Sequence, residues 1–193
     1  MEGIKQRGYA GSIPVYCSHD KIVPVEELKP NPKNPNRHPE DQVEILAKVI
    51  EAQGWRQPVK VSTRSGFIVS GHGRYAAARL LGCPVPVDFQ DYPSEAEELA
   101  DLLADNRIAE LAELDKAALA EIFQDIDAAS IDASLSGYTG AEIDQILQAV
   151  SDSLSEDDFE SFFEDADEDG SGTKEEPEKL TVKCPHCGEL IEL

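Results

Sequence analysis

The stretch Phe67–Gly82, FIVSGHGRYAAARLLG, constrains this chain more than any other. Phe67, Ile68 and Val69 form a short, β-prone apolar run. Gly71 and Gly73 break it, and a helix-forming run from Tyr75 to Leu81 stops at Gly82. Aromatic and β-branched residues suit a pleated strand, whereas alanine, leucine and arginine suit a helix. A strand that passes through a glycine turn into a helix presents the helix's first N–H groups, which lack intrahelical acceptors, at the positive end of the helix dipole. Phosphate binds at such ends, and glycine lets the backbone approach it closely. Arg74 adds a guanidinium that can hold an anion through two parallel hydrogen bonds, and His72 adds a further donor. The stretch reads as a phosphate cradle, the functional centre of the chain.

Gly71, Gly73 and Ala76 also fit the dinucleotide pattern G-x-G-x-x-A. That reading needs a long alternation of strands and helices around the turn. The segments that follow Val87 read instead as acidic helices, which argues against a nicotinamide or flavin domain.

Charge is placed unevenly along the 193 residues: residues 1–93 carry a net +2 and residues 94–193 a net −24. Phosphate neutralisation supplies most nonspecific DNA affinity, so this balance predicts weak direct binding to duplex DNA. Residues 94–150 hold one arginine and one lysine, too few for a recognition helix that contacts phosphates. No apolar run approaches the roughly 20 residues that span a membrane. The segment MEGIKQRGYAGS has no apolar secretory region, so a cytoplasmic protein without membrane association is expected. Its four cysteines are then expected to be free or metal-bound.

Residues 1–19 read as an N-terminal arm, 20–93 as an α/β domain, 94–150 as a helical extension, 151–179 as an acidic linker and 180–193 as a knuckle. Lys21–Leu28 alternates like a short strand. Lys29–Pro39, with four prolines and three asparagines, excludes regular structure; it either offers Lys33, Arg37 and His38 to a ligand or is a rigid turn. Val43, Leu46, Ala47 and Ile50 lie at helical spacing ahead of a stop at Gly54. Gly54–Gly71 reads as two strands joined by Thr63–Gly66, and Cys83–Phe89 as a third. Ser94 with Glu97 and Thr139 with Glu142 are capping boxes that open helices, and a further helix is expected over Asp115–Ile126. Leu99, Leu102, Leu103 and Ile108 are expected to form the apolar face of the first of these. Residues 151–179, with 13 acidic and two basic side chains, have the composition of disordered chain.

Two metal motifs lie near the C-terminus. Cys184-Pro185-His186-Cys187-Gly188 has the spacing of a zinc knuckle. Structural zinc takes four ligands and the chain has no second Cys-x-x-Cys, so closure by two chains of a homodimer is the simplest arrangement; a redox dithiol is the alternative. Asp165, Asp167, Asp169, Gly170 and Glu176 fit an EF-hand calcium loop, but Gly172 sits where the loop needs an apolar residue and Pro177 obstructs the exiting helix, so calcium is not expected.

Four stretches, in order, resemble the N-terminal domain of the ParB family, also called the ParB/sulfiredoxin fold: VPVEELKPNPKNPNRH, GWRQPVKV, IVSGHGRYAAARLLGCPVPV and LADNRIAELAELD. Together with LSGYTGAEIDQIL they are similar to the ParB-like module of phages and plasmids, over roughly residues 20–150. The resemblance implies a small α/β (α+β) domain with a mixed sheet that binds a nucleotide, in ParB itself CTP with magnesium. It implies nucleotide contacts from Gln57 and Pro58, from Gly71, His72, Gly73 and Arg74 at the family's Gly-Glu-Arg-Arg motif, and from Asn106 and Arg107. Asp105 and Asn106 are the implied magnesium ligands, with Asp105 standing for a glutamate. His72 stands where the family has an acidic metal ligand and Gly73 where it has an arginine, and both departures bear on the metal and on the preference for CTP. The fold is also similar to sulfiredoxin, whose turn carries a cysteine that Ser70–Arg74 lacks, and to a free-serine kinase, in which His72 and Arg74 would hold a γ-phosphate and an acidic group would act as base; the sequence does not name that base, and His72 and Asp105 are the candidate catalytic residues.

The expected function is a ParB-like, nucleotide-binding protein of the CTP or ATP class, acting in phage or plasmid DNA metabolism as a module or adaptor for a DNA-processing partner. Two alternatives stay open. One is a phosphotransferase, nucleotide hydrolase or nuclease on the same fold. The other is an acidic interaction protein that occupies a DNA-binding partner.

Overall fold

In the computed structural model, which describes residues 5–153, 181–183 and 190–192, four short apolar runs pair into one mixed sheet. The chain first forms a hairpin of β1 (Gly8–Ala10) and β2 (Ile13–Val15). Then come β3 (Lys21–Val23), α1 (Glu40–Gln53), β4 (Val59–Ser62), β5 (Ile68–Ser70), α2 (His72–Leu81) and β6 (Val85–Gln90). The sheet order is β3-β6-β4-β5. Strand β6 runs antiparallel to β3 and parallel to β4, with Val87 opposite both Lys21 and Val59. A parallel pair needs a crossover, and β5 with α2 supplies it.

Val59, Val61, Ile68, Val85 and Val87 bring the apolar side of the sheet into the core. Ala47 and Ile50 of α1 and Ala77 and Ala78 of α2 meet them, and the small alanines let the two helices approach closely. Trp55 is fully enclosed. Burying such side chains contributes on the order of 2 kcal/mol each, so this cluster supplies most of the folding drive.

Residues 1–19, the N-terminal arm, include a hairpin that enters this core. Ala10 and Val15 are wholly buried, and Val15 bridges to Trp55. Gly54 makes that closure possible. It ends α1 at φ 75°, and a Cβ there would stand 2.6 Å from the Pro14 carbonyl oxygen.

Three helices follow: α3 (Glu95–Glu110), α4 (Lys116–Ala128) and α5 (Gly140–Ser153). The Ser94 hydroxyl accepts the Glu97 N–H at 3.2 Å, and Asp115 accepts the N–H groups of Ala117 and Ala118. Before α5, the Glu142 carboxylate accepts the Thr139 N–H at 2.7 Å and completes that capping box, whereas the Glu97 carboxylate accepts the Ser94 hydroxyl rather than the Ser94 N–H. Phe123 and Tyr138 meet edge to face, and Gln53 of α1 donates to the Leu135 carbonyl at 3.0 Å.

The apolar face expected for α3 is corrected. Glu98 and Leu102 are buried, whereas Leu103 and Ile108 are 54% and 67% exposed. Partners found only in the folded chain compensate the burial of Glu98, and they fix the rotation of the helix. Lys21–Leu28 likewise divides into β3 and a 3-10 turn at Val25–Glu27, because Pro24 has no N–H to continue the ladder.

Beyond Val150 lies a separate unit, in which β7 (Thr181–Lys183) pairs antiparallel with β8 (Leu190–Glu192). The EF-hand-like tract Asp165–Glu176 and the knuckle residues Cys184 and Cys187 lie outside the described residues. Among the described residues no helix is long and apolar enough to cross a membrane.

Candidate functional site

Strand β5 ends at Ser70 and α2 begins at His72, so the chain turns through a single residue, Gly71. Its φ of 91° lies in the left-handed region, and a Cβ there would come within 3.0 Å of the Arg74 Nη2. Glycine therefore serves both the turn and the room that Arg74 occupies. At Gly73 a Cβ would lie 3.3 Å from the His38 Nδ1 and 3.4 Å from the Leu46 Cδ2, so any side chain there must displace one of them.

The first turn of α2 carries no side-chain cap and no acidic residue. Its first intrahelical bond runs from the Tyr75 N–H to the Gly71 carbonyl. The N–H groups of His72, Gly73 and Arg74 find no acceptor among the described residues. In front of them opens a cavity of about 180 Å³ whose lining includes His38, Gln42, Ser70, His72, Arg74, Asp105 and Asn106.

Arg74 is half-buried. Its Nη1 donates to the Gln57 Oε1 at 2.7 Å, whereas its Nε is buried with no acceptor. Burial lowers the guanidinium pKa, and Asp105 and the nearby Cys17 oppose that shift. An unpartnered, buried N–H on a cation is costly, and a bound anion would satisfy it. Burial also raises the Cys17 pKa, which keeps that thiol protonated.

His72 receives a hydrogen bond at its Nε2 from the Asn31 backbone N–H, at 3.2 Å. Burial, helped by His38 and opposed by Asp105, pushes its pKa down to about 4. The ring is therefore neutral near pH 7, with its hydrogen on Nδ1. The Asp105 Oδ2 accepts from the Ser70 hydroxyl at 2.7 Å, and the Asn106 amide donates to the Leu102 carbonyl at 3.0 Å.

A family profile for the ParB N-terminal domain matches residues 15–107. Over 63 residues the chain is 41% identical to the ParB-like nuclease domain-containing protein YnaK of Escherichia coli (strain K12), a span of 32% of this chain and 71% of that protein. The chain belongs to the ParB N-terminal domain family. Its fold is also that of the C-terminally truncated chromosome-partitioning protein ParB from Caulobacter crescentus in complex with CTP-gamma-S. The two share a TM-score of 0.58 at 22% identity, over 76% of this chain and 84% of that one.

In this ParB-family domain the expected site residues separate into groups. Gly71, His72, Gly73, Arg74, Asp105 and Asn106 converge on one cavity although Asp105 lies more than thirty residues after Gly71 in the sequence. Gln57 reaches the site through Arg74. Pro58 precedes β4 and does not line the cavity, and Arg107 is exposed and paired with Glu110 at 3.0 Å. The roles of Asn31, whose contribution is a backbone N–H, and of Ser70 escaped the sequence reading. Neither has a pattern that marks it, and each meets its partner only through the fold. His38 was anticipated from its loop.

The residues present fit a magnesium ion poorly. Beside phosphate oxygens and waters, magnesium takes one or two protein carboxylates in a near-octahedral array. The cavity offers one carboxylate, Asp105, which Ser70 already engages and which acts electrostatically on Arg74. At the position where the family has an acidic ligand, His72 offers no oxygen, and Asn106, the other expected ligand, brings a neutral amide oxygen to the same wall. Among the described residues no group of three or more His, Cys, Asp or Glu side chains is placed to hold a metal.

Proposed function

We propose that this chain binds a nucleoside triphosphate at the N-terminus of α2 and acts as a nucleotide-dependent module or adaptor in DNA metabolism, in the cytoplasm, for a DNA-processing partner. The observation that carries this reading is the buried, acceptor-less Nε of Arg74 beside three unpaired backbone N–H groups. Those donors match the oxygens of a phosphate chain, which only accept. A neighbouring hollow of about 470 Å³ shares His38 with the cavity and is lined by Tyr75 and Arg79, which leaves room for the nucleoside. The ParB of Caulobacter crescentus, whose fold this chain shares, takes a CTP analogue, and that supports CTP as the first ligand to try. A role in phage or plasmid maintenance is part of the same proposal, and it rests on the sequence resemblance.

A thermal-shift screen with CTP, ATP and GTP tests the reading. At least one should raise the melting temperature of the wild type, and Arg74→Ala should remove that rise while leaving the fold intact. Equal shifts in wild type and variant would contradict it. The phosphotransferase and nuclease alternatives draw less support. The His72 Nε2 is already occupied and its Nδ1 carries the hydrogen, so His72 is no base, and the Ser70 hydroxyl holds one of the two oxygens of Asp105, the remaining candidate.

For the C-terminal unit, we propose that Cys184 and Cys187 hold zinc shared between two chains. Metal analysis should then return about half a zinc per chain, the ratio that four-ligand closure requires. Cys184→Ser should release it, and one zinc per chain would point to a different ligand set.

A further inference from the structure

We propose that the cradle holds its nucleotide phosphates without a divalent cation, using the protein's own hydrogen-bond donors to offset their charge. The proposal rests on the nucleotide reading above and specifies how that site meets a polyanion. Its basis is the count of donors and lone pairs around the cavity.

The Asn31 backbone N–H can only donate, so the His72 Nε2 beside it must accept. That bond consumes the one lone pair of a neutral imidazole. What remains on the ring is the Nδ1 hydrogen, a donor to a phosphate oxygen and no ligand to a metal. An amide direction cannot be reversed as a side-chain amide can, so this tautomer is set by the backbone.

Asp105 is the one carboxylate on the cavity wall. Ser70 donates to its Oδ2, and its charge partly offsets the depression that burial imposes on Arg74. It serves as the resident counter-charge of a half-buried guanidinium. A divalent cation bound at Asp105 would bring two positive charges beside that guanidinium and weaken the pairing. The wall also carries two neutral amide side chains, Gln42 and Asn106, each with one acceptor oxygen; the turn itself presents donors only: the N–H groups of His72, Gly73 and Arg74, and the Arg74 Nε. Such a site suits the bare anion better than an ion whose oxygens already face a metal.

The test is a calorimetric titration of the full chain with CTP, once in excess EDTA and once in excess magnesium. The expected result is one binding event whose dissociation constants in the two conditions agree within about threefold, a small part of the tenfold that corresponds to 1.4 kcal/mol. His72→Glu sharpens it by supplying a carboxylate and removing the Nδ1 donor. Its affinity should fall by about tenfold or more in EDTA and recover when magnesium is added. Binding by the wild type only with magnesium would overturn the inference and leave the nucleotide reading standing. No binding in either condition would remove both. A folded His72→Glu that stays indifferent to magnesium would also overturn the proposal, because His72 would then not decide the metal requirement.

Discussion

Two polar clusters sit between the sheet and α3, built from the same kinds of side chain. In one, the Glu98 carboxylate accepts from the Ser62 and Ser65 hydroxyls, each at 2.7 Å, and from Arg64 at 3.1 Å. In the other, Asp105 accepts from the Ser70 hydroxyl and faces the field of Arg74. The first is closed. Glu98 is 2% exposed, and both of its oxygens are satisfied. The second is open, with an Arg74 Nε and three backbone N–H groups left without acceptors. A polar cluster that completes its own bonds stabilises the fold, whereas one that keeps donors in reserve for a ligand gives up stability to do so.

The largest effect expected is therefore at the closed cluster. Glu98→Ala strands the hydroxyls of buried Ser62 and half-buried Ser65 and leaves Arg64, whose side chain is 35% exposed, without its ion-pair partner; unsatisfied groups of this kind cost about 1–3 kcal/mol. Urea denaturation should register that loss; a change below about 1 kcal/mol would erase the contrast between the clusters. Arg74→Ala is the counterpart. It should change stability by less than about 1 kcal/mol in the same assay while abolishing nucleotide binding, because the side chain it removes is incompletely satisfied in the free protein.

The two clusters should also part company in acid. His72, held at about 4 against an ordinary 6.5, is neutral in the folded chain while the unfolded chain takes up a proton. Its contribution is present above pH 6.5 and is lost as the pH falls from 6.5 towards 4. Burial raises the Glu98 pKa, but the hydroxyls of Ser65 and Ser62 and the charge of Arg64 together outweigh it and hold the carboxyl below its ordinary 4.5. The Glu98 contribution is therefore present above pH 4.5 and fades only below it. Denaturation midpoints measured across this range should fall in two stages, and His72→Gln should flatten the first alone. A single transition unchanged by that substitution would contradict the assignment.

A third effect is expected at Gly54, away from both clusters. Gly54→Ala places a Cβ against the Pro14 carbonyl at a positive φ, and a loss of about 1 kcal/mol or more is expected from denaturation, with nucleotide affinity unchanged. Lost affinity would tie the hairpin to the open cluster.

What the sequence made legible follows the length of its signals. Helices α1, α3, α4 and α5 each run for 13 residues or more, long enough for periodicity and caps to accumulate. The cradle was legible because glycine, strand and helix signals coincide within one short stretch. The hairpin of β1 and β2 was not, since three-residue strands are too short to show alternation. Nor was the role of Glu98. On a helix with seven other charged or polar residues nothing separates a buried acid from a solvated one until Ser62 and Arg64, more than thirty residues away, are brought beside it. The Asn31–His72 bond spans 41 residues and uses a backbone group that every residue but proline carries.

Amide hydrogen exchange with and without CTP tests the account most directly, because the unpaired N–H groups of the α2 turn are themselves the claimed ligand contacts. Protection should appear at His72, Gly73 and Arg74 when CTP is added, while the amides of Arg64 and Ser65, which donate to the Ser62 hydroxyl, should stay unchanged. Binding that protects the β4–β5 turn and leaves the start of α2 exchanging as before would contradict the account.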